Sequence, residues 1–217
     1  MTLRTTFHAT LVAGALFTGI AALPQAAAAA PARVAYTESA NDALAPLAGQ
    51  ALIDWQAYVT TGDRTAFAEY YRIRNGIAAE VATRLSLDPT QMQVAWRDAD
   101  PAHQVALLAA LSQLGTPYRG FKAIPGVGFD CSGLTSWAWS QAGVVLDHQS
   151  RKQIQASKIV TAVNAQAGDL VYYPGHVMIY LGIANAIVHA PNTGRRVEVG
   201  FVGSHRVLSA RYGNPVG

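Results

Sequence analysis

Nucleophilic catalysis by a thiol needs a cysteine, a base to take its proton, and a third group that fixes the ring orientation and tautomer of that base. The 217-residue sequence holds one cysteine, Cys131, and six histidines. Two of these, His176 and His189, stand in apolar runs with the alternation of strands, whereas His103 falls in a helical pattern. Cys131 follows Asp130, a good helix N-cap, and Leu134, Trp137, Ala138 and Gln141 mark a short helix closed by Gly143. The thiol then lies in a first helical turn, where backbone N–H groups and the helix dipole favour a thiolate. The neighbouring Asp130 charge works against that, so the helix end needs a histidine partner. Taken alone, a free cysteine is as readily a small buried hydrophobe, and either histidine an ordinary strand residue; the three together reverse that balance.

Two kinds of element must position them. After the Cys131 helix the apolar period changes from 3.6 to 2, with strands expected over 170–173, 176–181, 186–190 and 195–201, and a last one over 205–212. An even connection, Gly182 to Asn185, sets Leu181 opposite Ala186 and Met178 opposite His189. His176 then shares a face with His189, with backbones roughly 6 to 8 Å apart. A three-residue connection would put them on opposite faces.

Before the Cys131 helix the pattern is helical throughout. Leu47, Ala51, Leu52, Trp55 and Tyr58 form one stripe; Phe67, Tyr70, Tyr71, Ile77, Val81 and Leu85 form a second. Asp88-Pro89-Thr90-Gln91 opens a short helix through Trp96, and Asp100-Pro101 repeats the device ahead of Val105, Leu108, Leu111 and Leu114. Helices first and an antiparallel sheet afterwards predict an α+β fold.

Residues 1–30 combine Arg4, an uncharged apolar run and a string of alanines, the pattern of a secretory signal peptide. The expected division is this signal, a helical region over 33–99, and a catalytic domain over 100–217. A secreted chain with one cysteine makes no internal disulfide, which favours a working thiol. Charge is uneven: residues 33–100 carry six basic against nine acidic side chains, and residues 101–217 nine against four. The basic residues are scattered and no groove-reading motif is present, so nucleic acid is not an expected partner. No membrane contact is expected after signal removal, and the chain is expected to be a monomer.

Pro117-Tyr118, Gly128-Phe129-Asp130-Cys131-Ser132-Gly133-Leu134, Gly168-Asp169-Leu170-Val171, the run from Gly175-His176 to Gly182, and His189-Ala190-Pro191 together carry a resemblance. They resemble the NlpC family of papain-like bacterial cell-wall cysteine peptidases, over roughly 100–212. The resemblance implies a papain-like fold, with the cysteine helix packed on an antiparallel sheet bearing the histidines, and a Cys-His-His triad without metal or cofactor. It also implies hydrolysis of peptidoglycan stem peptides or muropeptides, usually between D-glutamate and a diamino acid. By that likeness Cys131 is the nucleophile, His176 the general base and His189 the orienting residue. Tyr118 and Ser132, with Asp130 and Ser150 beside them, border the substrate groove. Arg119-Gly120-Phe121-Lys122 and Asp147-His148-Gln149 depart from the family's usual sequence, and both segments would lie along that groove.

Three other readings compete. His176, His189 and His205 with Cys131 or Asp169 would make a metal site, but no closely spaced ligand pair supports it. A papain-like amidase or acyltransferase with another exported substrate is compatible with the same triad. A wall-binding module with a silent triad is the third. The short connection at Asp98-Ala99-Asp100-Pro101 predicts that the acidic helical prefix packs against the basic catalytic part, in contact with the groove rim.

Overall fold

The computed structural model describes residues 42–217, which fall within one compact unit. The expected signal peptide and the first residues of the helical region lie outside the described residues. Four helices come first: α1 (Leu44–Thr61), α2 (Arg64–Arg84), α3 (Pro89–Asp98) and α4 (Pro101–Leu111). A short hairpin of β1 (Ala123–Ile124) and β2 (Gly128–Phe129) leads into α5 (Cys131–Gln141) and α6 (Ser150–Ala156). The rest is β3 (Lys158–Val160), β4 (Leu170–Tyr173), β5 (His176–Tyr180), β6 (Ala186–His189), β7 (Glu198–Phe201), α7 (Ser204–Val207) and β8 (Arg211–Asn214).

Local chemistry accounts for three of the helix starts. Asp63, Asp88 and Asp130 each accept backbone N–H groups as N-caps of α2, α3 and α5. Asp100 differs from its expected capping role. Its carboxylate accepts the Gln166 side-chain amide at 2.9 Å, and its own N–H donates to Gln166 Oε1 at 2.8 Å. It therefore ties the start of α4 to the loop before β4.

The strands form one antiparallel sheet in the order β3-β8-β4-β5-β6-β7. The strand expected over 205–212 is instead the turn of α7 followed by β8, which inserts between β3 and β4. One sheet face, with Leu170, Tyr172, Val177, Ile179, Ala186 and Val188, joins the main core under the helices. The other face buries Val171, Met178, Tyr180, Ile187 and Tyr212 under Val207 and Ala210. Burial on both faces explains why these central strands read as continuous apolar runs.

The helical prefix and the sheet share a core. Trp96 is fully buried and its indole N–H donates to the Leu181 carbonyl at 2.8 Å. Gly182, at φ 92°, admits α3 closely: a Cβ there would lie 2.9 Å from that of Ala95. Tyr70 and Arg74 of α2 both donate to Gln104 Oε1 of α4, each at 2.6 Å. The Trp96 bond and the side-chain-free Gly182 fix α3 at Leu181, just past the far end of β5 from His176 and roughly 16 Å along the strand.

Candidate active site

Cys131 is held from the N-cap outward. Asp130 Oδ1 accepts the Gly133 N–H at 2.7 Å and the Ser132 hydroxyl at 3.2 Å, and lies 2.8 Å from His148 Nε2. Asp130 Oδ2 accepts the Phe121 N–H at 2.7 Å. One buried carboxylate thus ties the helix start to the 119–122 turn and to the segment after the helix. Phe121 adopts φ 59° to donate there, although its ring is 95% exposed. Gly133 makes the approach possible, since a Cβ would stand 2.1 Å from the Lys122 carbonyl oxygen.

The back of α5 is held as firmly. Gln153 of α6, fully buried, accepts from Thr135 Oγ1 at 2.6 Å and donates to the carbonyls of Ser132 at 2.9 Å and Asp147 at 2.7 Å. Nothing in its sequence setting marked Gln153. Ser150, partly exposed, opens the same helix.

α5 packs on β5, and the Cys131 sulfur accepts the N–H of Val177, the residue after His176. Burial pushes the thiol up; the Val177 N–H pulls it down, and the Asp130 charge pushes it up again. The resting sulfur is therefore a thiol.

The β5–β6 register pairs Ile179 with Val188 and Tyr180 with Ile187, and the Leu181 N–H donates to Ala186 at 2.9 Å. The connection 182–185 is thus even in length, and His176 and His189 share a face. His176 Nε2 lies 2.9 Å from His189 Nδ1, with the rings edge to face. That leaves His176 Nδ1 for an external proton. Burial lowers His176 to about 4; burial, then His176 and the Arg195 guanidinium, lower His189 to about 3. A neutral imidazole beside a neutral thiol is a proton acceptor next to a proton donor, so the pair can generate a thiolate when a substrate arrives.

Tyr118 is anchored by its N–H to the Arg195 carbonyl at 2.9 Å and by a bridge to Phe129. Burial and then the Cys131 and Asp130 charges push its phenol up. Asp130 and Ser132 are buried and bonded to each other, so little of their side chains faces solvent. Three nearby side chains were not singled out in the sequence. Tyr173 stacks 5.4 Å from His176 and carries the Arg206 guanidinium 5.3 Å from its ring centre. Glu198 is the cross-strand partner of His189. An alternation count extended across the 190–197 connection would have been needed to find it.

His103 and Asp169, also singled out in the sequence, lie elsewhere. They form a fully buried pair at 3.0 Å joining α4 to the start of β4, and Gly168 at φ 101° lets the chains meet, since a Cβ would stand 2.7 Å from His103. Their role is thus to join helix and sheet. His205 is exposed on α7.

Residues 115–212 match the NlpC/P60 family model. The chain is 43% identical over 94 residues to "Probable endopeptidase Mb2213c" of Mycobacterium bovis, a match covering 42% of this chain and 24% of that protein. It is 39% identical over 119 residues to "Probable endopeptidase Cgl2188" of Corynebacterium glutamicum, covering 54% of this chain and 55% of that one. Among solved structures, the P60 domain of the Mycobacterium avium subspecies paratuberculosis antigen MAP1204 aligns at 25% identity with a TM-score of 0.46, covering 54% of this chain and 96% of that chain. The chain therefore spans between a quarter and just over half of these two relatives. The segment that holds Cys131, His176 and His189, residues 115–212, is an NlpC/P60 family domain.

Proposed function

We propose that the protein is a secreted cysteine endopeptidase that hydrolyses peptidoglycan stem peptides at the bond between D-glutamate and the diamino acid. The observation that supports it best is the alignment of Cys131, at a helix N-terminus against β5, with a neutral His176 whose Nε2 is taken by His189 at 2.9 Å. The names of the relatives as endopeptidases support the reaction class.

In this mechanism His176 Nδ1 takes the thiol proton as the sulfur attacks the scissile carbonyl. The Cys131 N–H, at the helix start, meets the oxyanion. His176 then gives its proton to the leaving amine, and water, deprotonated by the same ring, releases the acyl group. His189 keeps the base oriented. Tyr118 and the rim formed by the 119–122 turn and the segment 147–150 border the groove.

Defined muropeptides incubated with wild type and Cys131→Ala, followed by mass spectrometry, test the reading. New free amino groups on the diamino acid are expected with wild type alone. Cleavage by Cys131→Ala, or activity lost to a chelator and restored by zinc, would overturn it.

A further inference from the structure

The contact between His176 Nε2 and His189 Nδ1 at 2.9 Å holds one hydrogen. Two neutral arrangements satisfy it. In the first, His176 donates from Nε2, its Nδ1 keeps a lone pair, and His189 carries its hydrogen on Nε2. In the second, His189 donates from Nδ1, which forces the His176 hydrogen onto Nδ1 and removes the acceptor that a thiol proton requires. Nothing within the imidazole pair chooses between them.

The choice lies one strand further out. Glu198 sits opposite His189 in the β6–β7 register, with Oε1 3.6 Å from His189 Nε2. An N–H there points at a carboxylate, whereas a lone pair there would face negative charge. At 3.6 Å the effect is charge on a dipole more than a hydrogen bond. Glu198 is itself fixed: Arg195 pairs with it, and the backbone between them is pinned to the 115–118 segment. The Tyr118 N–H donates to the Arg195 carbonyl at 2.9 Å and the Val197 N–H to the Thr116 carbonyl at 2.8 Å.

We infer that Glu198 is a positioning residue that selects the Nε2–H tautomer of His189, and through it leaves His176 Nδ1 free to accept a proton. Arg195 completes the arrangement. A lone carboxylate beside His189 would draw a second proton onto that ring and make it a cation. The guanidinium offsets this, in line with its part in lowering His189. The groups facing His189 are thus His176 from β5 and Glu198 with Arg195 from the β7 side, and the sign of the relay is set by all three.

The inference rests on the peptidase reading for its consequence in turnover, but not for the tautomers. The test is therefore double. Nitrogen-15 imidazole shifts of the intact protein at neutral pH, in a Cys131→Ala background, report which ring nitrogen of each histidine is protonated. The wild-type ring pair is expected as Nε2–H for both. Glu198→Gln keeps the shape and a partner for Arg195 but drops the charge, and a mixed population with His176 Nδ1–H is expected. Turnover is then read with Cys131 present: kcat falls roughly 10- to 100-fold, as for other partners that orient a working histidine, with KM within about twofold. Glu198→Asp should recover part of the loss. Unchanged tautomers in Glu198→Gln, or unchanged kcat despite altered tautomers, overturn the proposal. Tautomers that shift as stated in a protein that cleaves no muropeptide in any form overturn the peptidase reading and leave the relay standing.

Discussion

The same substitution, glycine to alanine, should have opposite effects at two helical positions of this protein. Gly76 lies inside α2, and a Cβ there meets nothing within 4 Å. Alanine at such a site lowers the entropy of the unfolded chain and improves helix propensity, a gain of roughly 0.5 to 1 kcal/mol. Gly133 lies in the first turn of α5, where a Cβ would stand 2.1 Å from the Lys122 carbonyl oxygen and 2.9 Å from His148 Nε2. Normal contact needs more than 3 Å, so the 119–122 turn must retreat by about 1 Å. That retreat strains the Asp130 bonds to Phe121 and Gly133, both at 2.7 Å. Overpacking of this kind costs roughly 1 to 3 kcal/mol, which outweighs the helix gain. For a domain of this size about 1 kcal/mol moves Tm by roughly 2 to 4 °C. Circular-dichroism melts should thus show Gly76→Ala up by about 2 °C and Gly133→Ala down by roughly 2 to 12 °C. Gly133→Ala should also lose the proposed peptidase activity at temperatures where it is fully folded, because the displaced turn adjoins Tyr118. A Gly133→Ala protein that melts at or above wild type would refute the reasoning.

Two further expectations use the buried histidines and the prefix. His176 and His189 sit at about 4 and about 3 in the fold against 6.5 for a free histidine, so the unfolded chain binds protons first as pH falls. Their stability contribution is complete above about pH 6.5 and declines down to the folded values, by about 1.4 kcal/mol per pH unit for each ring that titrates only in the unfolded chain; urea midpoints from pH 7.5 to 4.5 should fall steeply in wild type and less so in His176→Gln/His189→Gln, and an equal slope in both would exclude these rings as the cause. A chain starting at Asp98 loses Trp96 and its bond to Leu181. It should therefore lose at least roughly 3 kcal/mol of stability without gaining activity on intact sacculi, and a stable truncated form with higher sacculus activity would show a gating role for the prefix.

Much of the site was legible because it rests on local rules. Asp130 before Cys131 is an N-cap that needs no tertiary information, and the alternation through His176 and His189 needs only the parity of one connection. What was not legible depends on chains meeting from far apart. β8 enters between β3 and β4, so a strand read as the end of a meander is central to the sheet. Gly168 and Gly182 are in the sequence, but that each admits a helix against the sheet follows only from where α4 and α3 pass. Trp96 reads as an ordinary core residue, yet its indole N–H is what places the prefix at the Leu181 end of β5.

Glu198 shows the same limit inside the site. Cross-strand neighbours are fixed by register, and the register of β7 against β6 is set by an eight-residue connection that bonds back to the 115–118 segment. A helix N-terminus supplies the thiol and a two-strand hairpin supplies the proposed base with its partner, but the protonation state the proposed mechanism needs depends on a third strand. Local sequence can therefore point to the proposed reacting residues of this protein, while the group proposed to set their tautomers depends on the register of a third strand.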